Sequence, residues 1–324
     1  MSRRFILRKE VITIYLAMSI IRPNFCPSTT WYPDAVTFAD VSVAGVEPFG
    51  MFIDRNNTIY LANRQRNVIQ IWYNGDVNAT RSLAGGLNQP LSLHVTLSGD
   101  MYVDNGMFND RVDRWSINGN SSTTAMTVTN ECYYIFVDIG NNLYCAVMPA
   151  HHVSKKSLFD TAISSTIVAG TGAAGSAANQ LYWPSGVFVD LELNLYVGDC
   201  GNNRVHMFPL GQVNGIAVVG NGAPGTITLN CPNTVIMDAN GYLFIGERVN
   251  QRIVGSGPYG FRCIAACTGT SGSGPQQLNN PRLFSFDPYG NIYVVDRLNN
   301  RIQRFDLASN SCSKYFKNFN QVIE

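Results

Sequence analysis

PRLFSFDPYGNIYVVDRLNNRIQRF occupies residues 281–305, and its punctuation decides the fold. A proline opens an apolar run from Leu283 to Phe286. Asp287-Pro288-Tyr289-Gly290 then reads as a turn, and an aromatic-centred run follows from Asn291 to Val295. A polar loop leads to a third run, Arg301 to Phe305. Each run is four or five residues long, alternates on period two and carries no helical stripe, which is the pattern of short strands. The same punctuation recurs from Pro184 (PSGVFVDLELNLYVGDCGNNRVHMF) and from Pro232 (PNTVIMDANGYLFIGERVNQRIVGS). Looser copies start at Pro48 and Pro90, and the weakest starts near Cys132 (CYYIFVDIGNNLYCAVMPAHHVSKKSL).

Aligned on the position after the first run, the copies fall at Asp54, Thr96, Asp138, Asp190, Asp238 and Asp287, at intervals of 42, 42, 52, 48 and 49 residues. Six copies of 40 to 50 residues in an all-β chain predict a six-bladed β-propeller of four-stranded antiparallel blades. The copies supply strands a, b and c. Less regular segments such as Ser165 to Ala169 and Gly215 to Val219 supply strand d, and Gly-rich connectors lead to the next blade. Composition agrees: 29 glycines, 11% aromatic residues and only 14% charged residues suit short strands joined by tight turns.

Local chemistry gives several positions a role. The Asp of the a–b turn can close an Asx-turn on its own backbone. The acid ending strand b is followed five residues later by arginine in Asp199/Arg204, Glu247/Arg252 and Asp296/Arg301. Across an antiparallel hairpin this spacing predicts an ion pair inside the blade. The first copy has Asn63 and Val68 at these places and the third has Val147 and His152, so both lack it.

A closed ring needs a fourth strand for the last copy. Thr37 to Ala44 or Ser313 to Lys317 could supply it, and the N-terminal segment is favoured because it would tie the two ends of the chain together. The resulting division is 1–25 as a signal peptide or short anchor, 26–47 as the closing segment, 48–310 as six blades and 311–324 as a tail. The first segment has Arg3, Arg4, Arg8 and Lys9 ahead of the apolar run 11–21. That run is short for a bilayer span and suits a signal-peptide core. No small-x-small cleavage site follows it, so an uncleaved anchor or a buried segment also stays open.

The eight cysteines have no CxxC spacing, which fits disulfides in an oxidising compartment better than zinc. The propeller arrangement pairs Cys26 with Cys312 across the closure, Cys132 with Cys145 within a hairpin, and Cys200 with Cys231 between adjacent blades. Cys263 and Cys267 remain by elimination. Four residues of straight strand would hold them about 13 Å apart, so their pairing needs a turn or bulge. Asn56, Asn78 and Asn120 are N-glycosylation acceptors compatible with exposed loops. The expected location is therefore secreted or extracellular, or membrane-anchored through the N-terminal segment.

The pattern P-x-G-φ-x-φ-D-x-x-G-N-φ-Y-V-x-D-x-x-N-N-R-φ-x-x-F resembles the NHL repeat, most closely at 184–208 and 281–305, with Asn202-Asn203-Arg204 and Asn299-Asn300-Arg301 as its signature. That resemblance implies the propeller and three functional families: binding modules of ubiquitin ligases, extracellular sensor domains, and a lyase that completes peptide amidation. The ligases carry zinc-binding RING and B-box domains, and no Cys/His ligand series for them occurs here. The lyase implies zinc-binding histidines directly after the blade-opening proline, where this chain has Phe49, Leu91, Ser185, Asn233 and Arg282. Its four histidines are His94, His151, His152 and His206. A lactonase-type hydrolase would need acidic and amide side chains converging on the central channel. No nucleophile and base, phosphate loop or dinucleotide fingerprint appears.

The expected function is a non-catalytic, monomeric binding or scaffold propeller without a cofactor, presenting loops on one face to a protein or peptide. The alternative is a metal-dependent lyase or lactonase-type hydrolase using the channel. In this topology the b–c and d–a loops share a face, which puts Arg64, Arg66, Met107, Phe108, His151, His152, Arg248 and Arg297 forward as ligand contacts. Tyr182 or Trp183 is the aromatic anchor beside Pro184. A net charge of +1 gives no global case for nucleic acid or an anionic membrane, although a local basic patch stays open.

Overall fold

The computed structural model describes residues 23–311 except 75, 77, 107, 108, 117, 118 and 120. Six four-stranded antiparallel sheets form a six-bladed propeller. Blade 1 runs Met51–Ile53, Ile59–Asn63, Val68–Trp72 and Arg81–Leu83. Blade 2 runs Leu93–Val95, Asp100–Asp104, Arg111–Ser116 and Ser122–Thr127. Blade 3 runs Tyr134–Val137, Asn142–Val147, His152–Ser157 and Thr166–Ala169. Blade 4 runs Pro184–Val189, Leu195–Asp199, Arg204–Phe208 and Ile216–Gly220, and blade 5 Pro232–Met237, Leu243–Glu247, Arg252–Gly257 and Gly260–Ala265. Blade 6 takes Pro281–Phe286, Ile292–Asp296 and Arg301–Phe305 from the last repeat and Val36–Ala39 from the N-terminal side.

The core is a set of wedges between neighbouring blades. Leu61 and Trp72 of blade 1 pack with Val295 and Ile302 of blade 6, and Tyr60 and Ile69 of blade 1 pack with Val103 and Trp115 of blade 2. Because both faces of a blade are covered, strand b is buried along nearly its whole length, completely so in Ile59–Asn63 and Ile292–Asp296, and does not alternate apolar and polar residues. Near the channel, adjacent strands a approach so closely that a Cβ on Gly186 would lie 2.7 Å from the Asn233 carbonyl oxygen.

The repeat signature has a physical account. Asp287 accepts the backbone N–H of Tyr289 at 2.9 Å and of Asn291 at 2.8 Å, and the Asn291 amide donates back to it at 2.7 Å. The same closure recurs at Asp54, Asp138, Asp190 and Asp238. At the other end of strand b, Asp296 pairs with Arg301 at 2.7 Å, Asp199 with Arg204 at 2.8 Å and Glu247 with Arg252 at 2.6 Å. These arginines also staple the connector: Arg204 donates to the carbonyls of Ser176, Ala177 and Gln180. The second Asn of the signature turns the chain at positive φ and accepts an N–H from the next blade, Asn203 from Cys231 and Asn300 from Glu47, both at 2.8 Å. Blade 1 replaces the ion pair with neutral Asn63 and Gln70 bonded at 2.8 Å.

Val36–Ala39 runs antiparallel to Arg301–Phe305, with Thr37 opposite Gln303. The expected strand over Thr37 to Ala44 is half that long. Asp40 accepts the Ser42 N–H at 2.9 Å and caps a single helical turn, Val41–Ala44, because a short acceptor before a four-residue run suits a helix start. Upstream, Thr30–Trp31 pairs with Leu307–Ser309. Ser313 to Lys317 and residues 1–22 lie outside the described residues.

Among the described residues three disulfides join two described cysteines: Cys132–Cys145, Cys200–Cys231 and Cys263–Cys267. The last closes because the strand ends at Ala265 and Ala266 takes φ 53°, which reverses the chain and brings the Cα atoms to 5.8 Å. The Cys26–Cys312 expectation falls outside the described residues through Cys312. Disulfides indicate an oxidising environment. Among the described residues no helix is long and apolar enough to cross a membrane.

Candidate functional site

The residue after each blade-opening proline stands at the channel mouth, on the face of the b–c and d–a loops. In blades 4 and 5 these residues tie the ring together. Ser185 Oγ donates to the Pro232 carbonyl at 3.2 Å, and the Asn233 amide donates to the Pro281 carbonyl at 2.6 Å. Histidine-held zinc does not fit this ring. Phe49 and Leu91 carry no donor atom, Arg282 is cationic, and Ser185 and Asn233 already bond the next blade.

A guanidinium cluster forms there instead. Phe49 is buried and meets the Tyr133 ring edge-on at 5.5 Å. The Arg282 guanidinium carbon lies 4.6 Å from the Phe49 ring centre, with Arg64 at 5.6 Å and Arg297 at 6.0 Å. Burial first, then the charges of Arg297 and Arg248, push Arg282 down to about 9. Arg248 is lowered by burial and by Arg297. The Nε atoms of Arg64, Arg282 and Arg297 are buried with no hydrogen-bond partner among the described residues. Glu47 is the only carboxylate that pairs with the cluster among the described residues; it bonds Arg297 at 2.5 Å with its side chain 44% exposed. Arg64 also donates to Gln89 Oε1 at 3.0 Å. A shallow indentation beside the cluster is lined by Phe49, Tyr133, Tyr134, Arg282 and Leu283.

Three of the sequence candidates, Arg64, Arg248 and Arg297, thus converge from blades 1, 5 and 6. A second group lies at the junction of blades 3 and 4. The Trp183 N–H donates to His151 Nδ1 at 3.2 Å, and Tyr182 packs against His151 at 5.5 Å and Trp183 at 4.6 Å. Trp183 remains 44% exposed. His152 turns inward instead, within hydrogen-bond distance of the Ala150 carbonyl and Ser154 Oγ, and Arg66 reaches the Ser42 carbonyl at the rim. Met107, Phe108 and the acceptor Asn120 lie outside the described residues, while Asn56 and Asn78 are exposed. Sequence reading passed over Phe49, Tyr133 and Arg282 as ligand contacts. Their shared place one residue after the blade opening is the signal in the sequence that marks them.

Deeper in the channel, strand a presents Phe52, His94, Phe136 and Phe188, with His94 4.8 Å from Phe52 and 5.2 Å from Phe136. His94 is only partly covered on its channel side, yet the surrounding burial drives its pKa from 6.5 to about 3. Below about pH 6.5 the unfolded chain takes up a proton that folded His94 refuses, so stability is lost as pH falls. His94→Phe should therefore gain on the parent by about 2–3 kcal/mol between pH 7.5 and pH 4.5, read from urea unfolding at both values. Asp104, raised to about 7 by burial, has the opposite sign and loses stability as pH rises through the range 4 to 7, but it is present in both chains and cancels in the difference. A gap that does not change with pH would mean that His94 titrates normally in the channel.

No family model matches the chain, and no curated protein matches it. Solved structures share its fold. A structural-genomics protein of unknown function from Bacteroides thetaiotaomicron has a TM-score of 0.65 at 13% identity, over 87% of this chain and 74% of that one. Virginiamycin B lyase from Staphylococcus aureus, in an inactive form with quinupristin, has a TM-score of 0.56 at 12% identity over 81% of each chain. A structural-genomics target with a provisional gluconolactonase assignment has a TM-score of 0.58 at 11% identity, over 90% of this chain and 96% of that one. At these identities the likeness shows the shared propeller fold.

Proposed function

We propose that this chain is a secreted, non-catalytic binding propeller that takes a protein or peptide ligand over the channel mouth. The observation that carries this reading is the convergence of Arg64, Tyr133, Arg248, Arg282 and Arg297, from four different blades, on one small patch of the b–c and d–a face. The exposed Trp183 group on the same face supplies a second anchor of the kind that dominates interface energetics. The resemblance of the repeat to NHL modules supports a binding role, and disulfides with exposed Asn56 and Asn78 support passage through a secretory compartment. The test is affinity capture from the native extracellular fluid with three forms of the glycosylated protein: parent, Arg248→Ala/Trp183→Ala, and Tyr259→Ala, whose residue is exposed in a c–d turn of the opposite face. A partner held by the parent and Tyr259→Ala but lost by the double variant supports the reading. Equal capture by all three refutes it.

The fold likeness to a lyase and to a gluconolactonase-type structure favours a second reading, a metal-dependent enzyme working at the channel. The apolar lining of Phe52, Phe136 and Phe188 speaks against it. Turnover of quinupristin or of an aldonolactone with added divalent metal would establish the second reading over the first.

A further inference from the structure

We infer that the guanidinium cluster at the channel mouth is an anion site whose ligand is an acidic peptide segment, bound through adjacent carboxylates. The inference deepens the proposed function and rests on its choice of face. Arg64, Arg282 and Arg297 gather around Phe49, Arg248 lies near enough for its charge and theirs to repel, and among the described residues the carboxylate of Glu47 balances only one of them. A covered, uncompensated charge destabilises a fold, so such groups are normally paired. Here three buried Nε atoms have no protein acceptor among the described residues, and the guanidinium carbons of Arg64, Arg282 and Arg297 lie 4.6 to 6.0 Å from the centre of one aromatic ring. Guanidiniums gathered at an aromatic ring keep N–H edges that can bond oxygens in the paired geometry of a carboxylate.

Glu47 shows how such a ligand would sit. Its half-exposed carboxylate bonds the largely covered Arg297 guanidinium. The indentation beside Arg282 is small and of mixed character, with Ser185 and Asn233 as well as Tyr133, Tyr134 and Leu283 in its lining. A nucleic-acid backbone would want cations spaced along a track, whereas these are gathered in one spot of a nearly neutral chain.

The probes are a hexaglutamate peptide, its hexaglutamine counterpart, inorganic phosphate and a single-stranded oligonucleotide of matched charge. Binding is read by titration calorimetry and by the shift in melting temperature. Hexaglutamate should bind the parent and raise its melting temperature, and hexaglutamine should do neither. Arg282→Met and Arg248→Met should each weaken hexaglutamate binding by about tenfold or more, the usual effect of losing a charge-assisted hydrogen bond. Without ligand, Arg282→Met should melt no lower than the parent, since it relieves repulsion; this readout separates a ligand site from a structural one. Glu47→Gln should tighten binding by removing the internal competitor.

No response to hexaglutamate, equal binding by Arg282→Met, or a preference for phosphate or the oligonucleotide would overturn the inference. Failure of the inference and failure of the proposed function are distinguishable. If a captured partner depends on Trp183 while hexaglutamate does not bind, the face stands and the anion site falls. If hexaglutamate binds through Arg282 while capture ignores this face, the site stands and the functional reading falls.

Discussion

Asp296→Ala should cost about 3–5 kcal/mol of folding stability, the usual effect of removing one partner from a buried ion pair. Asp296 has no exposed surface and accepts three bonds: the Asn279 N–H at 2.7 Å, the Asn299 amide at 2.8 Å and Arg301 Nε at 2.7 Å. Alanine removes the acceptor of all three at the point where the connector, the b–c loop and strand c meet, leaving the Asn299 amide only its bond to the Gly272 carbonyl and Arg301 only its bonds to the connector. Burial raises the pKa of Asp296 in spite of these donors, so dehydration of the carboxylate outweighs what its partners return. Two companions make the test sharp. Asp100→Ala, which breaks the more exposed pair with Arg114, should cost less than about 1 kcal/mol. Asp296→Leu/Arg301→Met should recover part of the loss, because it removes both charges. Urea unfolding of the three variants measures this, and equal losses for Asp296→Ala and Asp100→Ala would refute the account.

Phe25→Ala should also cost about 3–5 kcal/mol, through loss of contacts and the cavity left behind. Phe25 lies on the face opposite the candidate site, buried against Trp31 at 5.1 Å, Phe286 at 4.9 Å and Phe244 at 5.4 Å. Its N–H reaches Asp238 at 3.3 Å, and its carbonyl accepts the Asn240 amide at 2.9 Å. The segment from Pro23 thus straps blades 5 and 6 before Val36–Ala39 closes the ring, where Phe38 touches both Trp72 and Tyr293. A chain starting at Cys26 should show the same loss as Phe25→Ala. Calorimetric unfolding of both reads the effect, and a change under 1 kcal/mol would mean that the strap does not contribute to the core.

Much of this was legible in the residues because it depends on short spacing. The Asp of the a–b turn in five blades meets an acceptor-hungry N–H four residues away, and in three of them another two residues away, and the acid and arginine at either end of the b–c loop in blades 4 to 6 are five residues apart. Such contacts follow from local geometry, so the repeat exposed six blades, the blade-internal ion pairs and the Cys132–Cys145 and Cys200–Cys231 pairings, while Cys263–Cys267 followed only by elimination. Where a local detail was missed, a competing local rule won. Asp40 capped a helical turn inside an expected strand, and a residue at positive φ made the Cys263–Cys267 loop close.

The channel mouth was different. Phe49, Tyr133, Arg248, Arg282 and Arg297 stand in separate repeats, and the first and last blades meet only after the N-terminal strand has closed the ring. Nothing in the spacing of 49 and 282 says that their side chains stack at 4.6 Å. The sequence by itself determined the blades and the face on which their loops gather. Only the tertiary structure decided which of those side chains share one small, poorly hydrated patch, because that depends on the rotation between blades and on closure of the ring.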